Sequence, residues 1–154
     1  MDVIIILAAK YLFLVVILIA ALVAARFDTV TRKRLLNLSL ITFPLGYFLT
    51  KLLGYFIYNP RPFVTDHITP LIKHTADNGF PSDHTVLTMT IAAVFFVYNR
   101  KIGILLFALA AGVGISRILA GLHHPVDILG SSAIATVATA VGWYITKHIK
   151  WFSS

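Results

Sequence analysis

Residues 3–25 read VIIILAAKYLFLVVILIAALVAA, an apolar run in which Lys10 is the single charged residue. As an α-helix, a run of this length crosses the hydrocarbon core of a bilayer, which takes about 20 apolar residues. Backbone amides inside a bilayer must find their partners within the segment itself, so the run has to be helical. The stretch therefore predicts a membrane-spanning helix at the start of the chain.

Four further apolar stretches predict additional membrane helices. They cover residues 35–58, 81–98, 102–120 and 125–146. We expect residues 1–154 to form a single integral-membrane domain, an all-α, polytopic membrane helical bundle of about five transmembrane helices. The connection 59–80 is the one long segment between predicted helices, and connections of this length tend to be functional.

The composition agrees with a membrane protein. Hydrophobic residues make up 58% of the chain and charged residues 12%, whereas soluble domains have about 25% charged residues. Thirteen Lys and Arg against six Asp give a net charge of +7. Such a balance can indicate nucleic acid, but the apolar bulk favours a lipid bilayer and argues against a nucleic-acid partner. The chain has no cysteine, which excludes disulfides and a cysteine nucleophile.

The basic residues are distributed unevenly along the predicted topology. Eight of the thirteen lie in the link between the first two helices, the link between the third and fourth, and the tail: Arg26, Arg32, Lys33, Arg34, Arg100, Lys101, Lys147 and Lys150. With five spans these segments share one side, which the positive-inside rule makes cytoplasmic. We therefore expect the N-terminus outside, the C-terminus in the cytoplasm, and the 59–80 connection facing outward.

A polar cluster lies around the end of the fourth predicted helix, and polar groups at membrane depth mark functional sites. His123 and Asp127 are four residues apart, so they share one face of a helix or of its first turn. A carboxylate bonded to one imidazole nitrogen fixes the tautomer and leaves the other nitrogen free to attack. Ser116 and Arg117 end the preceding helix, where we expect them to bind what His123 attacks.

A second cluster, Pro-Ser-Asp-His at 81–84, opens the third predicted helix. Helix N-termini bind anions, because their amides are free and the helix dipole is positive there. Ser82 suits an N-cap or a donor to a phosphate oxygen, and His84 supplies a second imidazole. A nucleophilic and a proton-donating histidine are what phosphoester cleavage needs. Arg61 and Arg117 add forked cationic donors for phosphate oxygens.

Nothing in the sequence indicates a metal site. There is no HExxH motif, and the aspartates are scattered along the chain. Fixed cations can take the place of Mg²⁺ in phosphoryl transfer, where catalysis is mostly positioning and charge stabilisation. We therefore expect metal-independent chemistry without a cofactor.

These residues resemble the signature of the phosphatidic acid phosphatase type 2 superfamily, which also includes vanadium haloperoxidases and glucose-6-phosphatases. The signature has three parts, K-x6-R-P, P-S-G-H and S-R-x5-H-x3-D. Ser116-Arg117, His123 and Asp127 match the third part at every position, and Arg61-Pro62 and the P-S-x-H of 81–84 stand upstream in the family's order. The resemblance covers about residues 51–130.

The resemblance implies a role for each matched residue. His123 is the nucleophile that forms a phosphohistidine, Asp127 orients it, and His84 protonates the leaving group. The implied phosphate-binding residues are Arg61, Ser82 and Arg117, together with the less regular positions Lys51 and Asp83.

Three departures accompany the resemblance. Lys51 lies ten residues before Arg61, whereas the family's lysine lies seven before, at the position of Gly54. Lys51 is either a phosphate ligand or a lysine at the membrane interface, and Lys10 is the other candidate cation. Asp83 replaces the usual glycine. Five spans instead of six leave open a helix supplied by a partner chain, and hence a homo-oligomer.

The stretch 61–85, with its Asp83, looks like the bacitracin-resistance type of undecaprenyl-diphosphate phosphatase. That implies hydrolysis of a polyprenyl diphosphate to the monophosphate on the extracytoplasmic face of the cell membrane. A phosphatidate or phosphatidylglycerophosphate phosphatase with the same catalytic core remains the alternative. A transporter or channel that binds an anion is a rival from another class, and the third motif argues against it because transport needs no oriented nucleophile.

Overall fold

The computed structural model describes residues 1–148, and within this range the regular structure is helical. Its six helices are α1 (Asp2–Arg26), α2 (Thr29–Phe56), α3 (Pro62–Thr65), α4 (Asp83–Tyr98), α5 (Arg100–Leu119) and α6 (Pro125–His148). The described residues contain no β-strand, only an isolated antiparallel bridge between Pro60 and Asn78. The prediction of an all-α membrane bundle is confirmed.

Four helices, α1, α2, α5 and α6, are long and apolar enough to cross a membrane. The predicted third span corresponds to α4, which has 16 residues. That is about 24 Å of helix against a hydrocarbon core of about 30 Å. The prediction started this helix at residue 81, but Ser82 is extended and the helix begins at Asp83. The five expected spans are therefore four long helices and one shorter apolar helix.

Side-chain caps explain where two helices begin. The Asp28 carboxylate accepts hydrogen bonds from the amides of Val30 and Thr31 at 3.0 Å, so α2 begins at Thr29, six residues before the predicted start. The basic residues 32–34 consequently lie in the first turns of α2 and not in a link. The Asn99 side chain accepts from the Ile102 amide and starts α5. Lys150 of the predicted basic tail lies outside the described residues.

The short helix α4 forms the centre of the bundle. It packs against α1, α2, α5 and α6, whereas α1 otherwise touches α5 and α2 otherwise touches α6. Val94 of α4 lies in a buried core with Val16 of α1, Leu38 of α2 and Leu106 of α5. Helix α4 is therefore in contact with each of the four longer helices, and half of its residues are buried.

Helix α6 is held close to its neighbours by a stripe of small residues. Ser131, Ala135, Ala138 and Gly142 are all buried inside the bundle. A Cβ atom at Gly142 would overlap the hydroxyl oxygen of Thr42 on α2. Small residues allow membrane helices to approach in this way, so the stripe fixes how α6 packs against α2.

The outer surface of the bundle is apolar. Large aliphatic side chains such as Leu7, Leu40, Ile104 and Leu129 are more than half exposed. Apolar exposure on this scale marks contact with lipid or with another protein. With four helices of spanning length, the surface identifies an integral membrane protein.

The connection between α2 and α4 folds over one end of the bundle. Phe63 and Leu71 of this connection pack on an apolar cluster that includes Ala9 and Leu122. The Leu71 amide also donates to the carbonyl of Ala120, at 3.1 Å. The end of α2, the start of α4, the end of α5 and the start of α6 meet beneath it, and all the signature residues lie there.

Candidate active site

A cavity of about 410 Å³ opens at this end of the bundle. Six of the eight predicted site residues line it: Lys51, Arg61, Asp83, His84, Arg117 and His123. Asp127 and Ser82 do not line it and are fully buried. The fold thus brings residues from five separate segments to one cavity, with Asp127 and Ser82 buried behind its wall.

His123 presents one imidazole nitrogen toward Arg61. Its Nε2 atom lies 3.3 Å from a guanidinium nitrogen of Arg61, and a guanidinium can only donate, so Nε2 is the acceptor. The proton is then on Nδ1, which donates to the carbonyl of Gly79 at 2.9 Å. This tautomer keeps a lone pair on Nε2, the nitrogen that can attack an electrophile.

The charge state of His123 is set by its surroundings. Burial lowers the pKa of His123 below the ordinary value of 6.5, and the positive charges of Arg61 and Arg117 lower it further. The hydrogen bond and charge of Asp127 act in the opposite direction and do not offset them. The imidazole is therefore neutral and nucleophilic at neutral pH.

Asp127 lies behind His123 in a fully occupied hydrogen-bond network. Its Oδ2 atom is 3.4 Å from Nδ1 of His123 and accepts from the amide of His124 at 2.8 Å. Its Oδ1 atom accepts from the side-chain amide of Asn59 at 2.7 Å. The shorter contact of Nδ1 is to Gly79, so the carboxylate and a main-chain carbonyl together hold the imidazole.

Two asparagines position the connection against this network. The Asn78 side chain donates to the carbonyls of Gly54 and Ile57 at the end of α2, both at 2.8 Å. Its oxygen accepts from the amides of Asn59 and Phe80. Asn59 and Asn78 were missed by the sequence analysis. Their one signal was their place in a long connection beside matched motif residues.

Arg61 is held rigidly by the connection. Its Nε atom donates to Asp77 at 2.6 Å, and a terminal nitrogen donates to the carbonyl of Leu122 at 2.9 Å. Burial raises the pKa of Asp77, but the hydrogen bond and charge of Arg61 outweigh that effect and keep it below 3.8. Asp77, also missed from the sequence, is thus ionised and fixes the guanidinium at the cavity wall.

Arg117 retains unused donors. One terminal nitrogen donates to the carbonyl of Ala9 on α1 at 3.3 Å, and its Nε atom is buried without a hydrogen-bond partner among residues 1–148. A buried unpaired donor costs about 1–3 kcal/mol. The cost falls if an anion enters the cavity, so Arg117 is suited to bind phosphate oxygens.

His84 faces the same cavity from the first turn of α4. Its ring packs perpendicular to that of Phe13 on α1, with ring centroids 4.7 Å apart. Helix α1 carries none of the signature motifs, yet it touches both His84 and Arg117. The contact with Phe13 restricts the direction in which the imidazole points.

Ser82 occupies the N-cap position of α4, but its side chain makes no capping bond. Its hydroxyl accepts from Thr85 at 3.2 Å, and its amide donates to the hydroxyl of Ser131 at 2.9 Å. The first bond of the helix runs from the Val86 amide to the Ser82 carbonyl. The amides of residues 83–85 consequently lack partners in the helix, an arrangement that is suited to binding an anion.

The two irregular positions, Lys51 and Asp83, lie opposite each other at the cavity rim. The Lys51 ammonium is 3.8 Å from the Asp83 carboxylate, and both side chains are more than half exposed. A Cβ atom at Gly54 would lie 3.2 Å from the carbonyl of Phe80, so the connection occupies the space into which the family's lysine would extend. Lys51 reaches the rim from one turn earlier on a continuous α2.

Residues 1–148 contain no group of three or more His, Cys, Asp or Glu side chains that could hold a metal ion. The charged side chains that line the cavity are three cations, Lys51, Arg61 and Arg117, and two carboxylates, Asp77 and Asp83. The two imidazoles and the neutral side chains of Thr50, Tyr55 and Asn78 complete the polar lining. Such a set is suited to a phosphate group and not to a divalent cation.

The pattern that defines the PAP2 superfamily matches residues 34–151. A bacitracin transport permease protein BcrC from Bacillus licheniformis is 38% identical over 76% of this chain and 59% of its own length. An undecaprenyl-diphosphatase BcrC from Bacillus subtilis is 40% identical over 71% of this chain and 56% of its own length. The chain thus spans less than two thirds of either relative.

A solved structure shows the same arrangement of helices. The crystal structure of LpxE from Aquifex aeolicus superimposes with a TM-score of 0.74 at 25% identity. The match covers 93% of this chain and 85% of that protein. Almost the whole described bundle therefore has a counterpart in an experimental structure.

Proposed function

This chain belongs to the PAP2 superfamily, and from that premise we propose that it is a membrane-embedded lipid phosphatase that works through a phosphohistidine. One observation carries the proposal. The Nδ1–H of His123 is bonded to Gly79, which leaves Nε2 with a lone pair at the wall of a cationic cavity. A neutral, oriented imidazole in a chamber for anions is a nucleophile for phosphorus.

In the first step, Nε2 of His123 attacks the terminal phosphorus of the substrate. The bond between that phosphorus and the bridging oxygen breaks, and the released lipid phosphate takes a proton from His84. The phosphoryl group stays on Nε2, and the imidazolium so formed is stabilised through Nδ1 by Gly79 and by the Asp127 carboxylate 3.4 Å away. One histidine, His123, is the nucleophile of this half of the reaction, and the other, His84, is its proton donor.

The phosphate oxygens are held by fixed donors. Arg61 is positioned by Asp77, and Arg117 has a buried donor without a partner. The free amides at residues 83–85 add main-chain donors and the positive end of the α4 dipole. Ser82 stands behind these amides and acts through its position at the start of the helix. Donors aimed at developing charge supply much of the rate enhancement in such sites.

In the second step, water attacks the phosphorus of the phosphohistidine. His84, now neutral, takes a proton from that water, the P–N bond breaks, and inorganic phosphate leaves. His123 returns to its neutral state with the proton on Nδ1. Every proton in this cycle is carried by His84 or by solvent, and no step uses a metal ion.

For the substrate we propose a polyprenyl diphosphate such as undecaprenyl diphosphate, converted to the monophosphate. The 40% identity to a protein named undecaprenyl-diphosphatase supports this choice. Lys51 also lies at the rim of the cavity, where it can bind the second phosphate of a diphosphate. Hydrolysis of phosphatidate or phosphatidylglycerophosphate by the same core is the alternative.

One relative is named as a transport permease, so anion transport is an alternative function to consider. The cavity argues against it, because Arg61 is fixed by hydrogen bonds on three sides. A transport pathway needs cations that release their ligand to the opposite side. The contacts of Gly79 and Asp127 that hold His123 in one orientation are better suited to a covalent reaction than to the passage of an anion.

The test is phosphate release from undecaprenyl diphosphate and from phosphatidate by the purified protein in detergent with EDTA. We expect faster release from the diphosphate, and a loss of at least about 10³-fold in His123→Ala. The matched control is His124→Ala, whose side chain lies outside the cavity beside Thr65 and should retain activity. Activity in His123→Ala, or activity lost with EDTA, contradicts the mechanism. Equal rates on both lipids contradict the proposed substrate.

For the location we propose the outer face of the cell membrane, with the N-terminus outside and the C-terminus in the cytoplasm. The support is the charge asymmetry of the connecting segments. On this topology the cavity opens toward the outer leaflet, where the phosphate groups of a lipid diphosphate face the outside of the cell.

A further inference from the structure

The two imidazoles of the candidate active site are held in different ways. His123 donates through Nδ1 to the carbonyl of Gly79, and the carboxylate of Asp127 lies behind it. In the described part of the chain, by contrast, no hydrogen bond reaches the imidazole of His84. The χ2 torsion of histidine is broad, so the direction of the His84 ring has to be set by what packs against it.

The ring of Phe13 on α1 packs against the His84 imidazole. The two rings are perpendicular and their centroids lie 4.7 Å apart, which is the geometry of a favourable edge-to-face pair. The phenyl ring occupies one side of the imidazole and excludes the orientations that point there. The imidazole accordingly lines the catalytic cavity, where a substrate can take a proton from it.

Phe13 is itself held in place by the packing of α1. Its side chain packs against the buried core that α1 shares with α2, α4 and α5. Ala9 lies four residues earlier, so it shares a face of α1 with Phe13, and it is fully buried. The Ala9 carbonyl accepts from Arg117 at 3.3 Å. One turn of α1 therefore contacts both Arg117 and His84, and Phe13 restrains the imidazole from a fixed position.

We propose that Phe13 is a positioning residue for His84 and holds its imidazole in the direction from which it protonates the leaving group. The assignment rests on the proposed lipid phosphatase function, in which His84 is the proton donor. The proton passes from His84 to the bridging oxygen as the bond between that oxygen and phosphorus breaks, and Phe13 exchanges no atoms. Phe13 lies outside residues 34–151, which match the family pattern, so no residue of the signature supplies this contact.

The first measurement tests the contact itself and does not depend on hydrolysis. The full chain is labelled with isotope-enriched histidine for NMR in detergent, and the His84 signals are identified by their absence in His84→Gln. The ring current of Phe13 shifts these signals, so they should move in Phe13→Leu, which keeps an apolar side chain. The matched control is Phe27→Leu, which removes a second ring contact with α4, that of Phe27 with Phe95 at 6.0 Å. There the His84 signals should stay in place.

The second measurement tests proton transfer through the leaving group. Phosphatidate releases a strongly basic alkoxide, which needs a proton as the bond breaks, whereas undecaprenyl diphosphate releases a weakly basic lipid phosphate. Loss of an oriented proton donor should therefore cost more with phosphatidate. We expect Phe13→Leu to lower kcat/KM about tenfold for phosphatidate and about threefold or less for the diphosphate, and His84→Gln to show the same order with larger losses. Phe27→Leu should retain the activity of the parent protein on both lipids.

Unmoved His84 signals in Phe13→Leu overturn the assignment. So does an equal loss on both lipids, or a loss that Phe27→Leu reproduces, because the phenyl ring would then act only on the stability of the bundle. A loss of activity in His84→Gln without a loss in Phe13→Leu contradicts the role of Phe13 alone. Full activity of His84→Gln contradicts the proposed function and, with it, the role of Phe13.

Discussion

His123 owes its chemistry to neighbours that the motif does not include. The Gly79 carbonyl holds Nδ1 at 2.9 Å, whereas Asp127 lies 3.4 Å away and is itself held by Asn59. The spacing of His123 and Asp127 predicted that they would meet. It could not predict Gly79 or Asn59, because these approach through the folded connection and not through the helix.

The pH dependence of the reaction should report the environment of His123. In the proposed mechanism the neutral form of His123 is the nucleophile, and burial with the charges of Arg61 and Arg117 lowers its pKa below 6.5. Activity should therefore persist below pH 6.5 and fall only as the pH drops through the lowered pKa. The acid limb of kcat/KM, which reports the free enzyme, measures this. An acid limb at or above 6.5 contradicts the proposed environment.

Gly79 should be intolerant of any side chain. A Cβ atom there would lie 3.0 Å from the Asn59 carbonyl and 3.2 Å from the Asp127 carboxylate. Gly79→Ala should shift the Gly79 carbonyl, which accepts from Nδ1 of His123, and so displace the imidazole. We expect kcat to fall by about 10²-fold, since a small misplacement of a reacting group costs this much. The matched control is Gly112→Ala, whose Cβ meets only a Leu12 methyl. A fully active Gly79→Ala would show that the connection does not position His123.

At the level of elements, apolar runs predicted the helices well and their ends less well. The prediction set the start of α2 six residues late, because the basic residues 32–34 read as a link, whereas the Asp28 cap starts the helix before them. The start of α4 was two residues early because Ser82 is extended. The first difference arises from a side-chain cap and the second from an extended residue, and hydrophobicity encodes neither.

The motifs predicted the residues that line the cavity more fully than the residues that hold them in position. Six of the eight predicted residues line the cavity, because the motifs stand at helix ends that the bundle gathers at one pole. Asp77 and Asn78 were missed, since nothing in a polar connection shows which residues turn inward. The sequence also could not show why the lysine stands at position 51 and not at position 54. The reason is that the Phe80 carbonyl lies against Gly54 and leaves no room for a long side chain there.

The packing of α6 against α2 should depend on Gly142 and Thr42. A methyl group at Gly142 would overlap the Thr42 hydroxyl oxygen, which is buried and has no hydrogen-bond partner in the described part of the chain. Gly142→Ala should destabilise the protein by about 1–3 kcal/mol. Adding Thr42→Ala should restore most of the loss, because it removes the clashing atom. Thermal unfolding of the two single variants and the double variant in detergent forms a double-mutant cycle. If the two changes in stability simply add, Gly142 and Thr42 do not interact.

At the level of the whole molecule, the net charge of +7 comes from the segments that are predicted to lie in the cytoplasm. The predicted cytoplasmic segments hold eight of the thirteen basic residues and one of the six aspartates, Asp28. The remaining five basic and five acidic residues balance one another. The balanced set includes the cavity residues, so the end of the bundle that carries the site is close to neutral while the other end is strongly basic.

This orientation can be tested directly because the chain has no cysteine of its own. Asp2→Cys lies at the end of the bundle that we place outside, and Lys101→Cys lies at the opposite end. A membrane-impermeant maleimide should label Asp2→Cys in intact cells and Lys101→Cys only after permeabilisation. The reverse pattern would put the site in the cytoplasm and contradict the proposed location.

The central claim is that His123 carries the phosphoryl group. The most direct measurement is to mix the protein with undecaprenyl diphosphate labelled at the terminal phosphate, quench in alkali within one turnover, and map the label by mass spectrometry. We predict label on Nε2 of His123 and none in His123→Ala. Phosphate release without label on His123, or label on another residue, would contradict the mechanism.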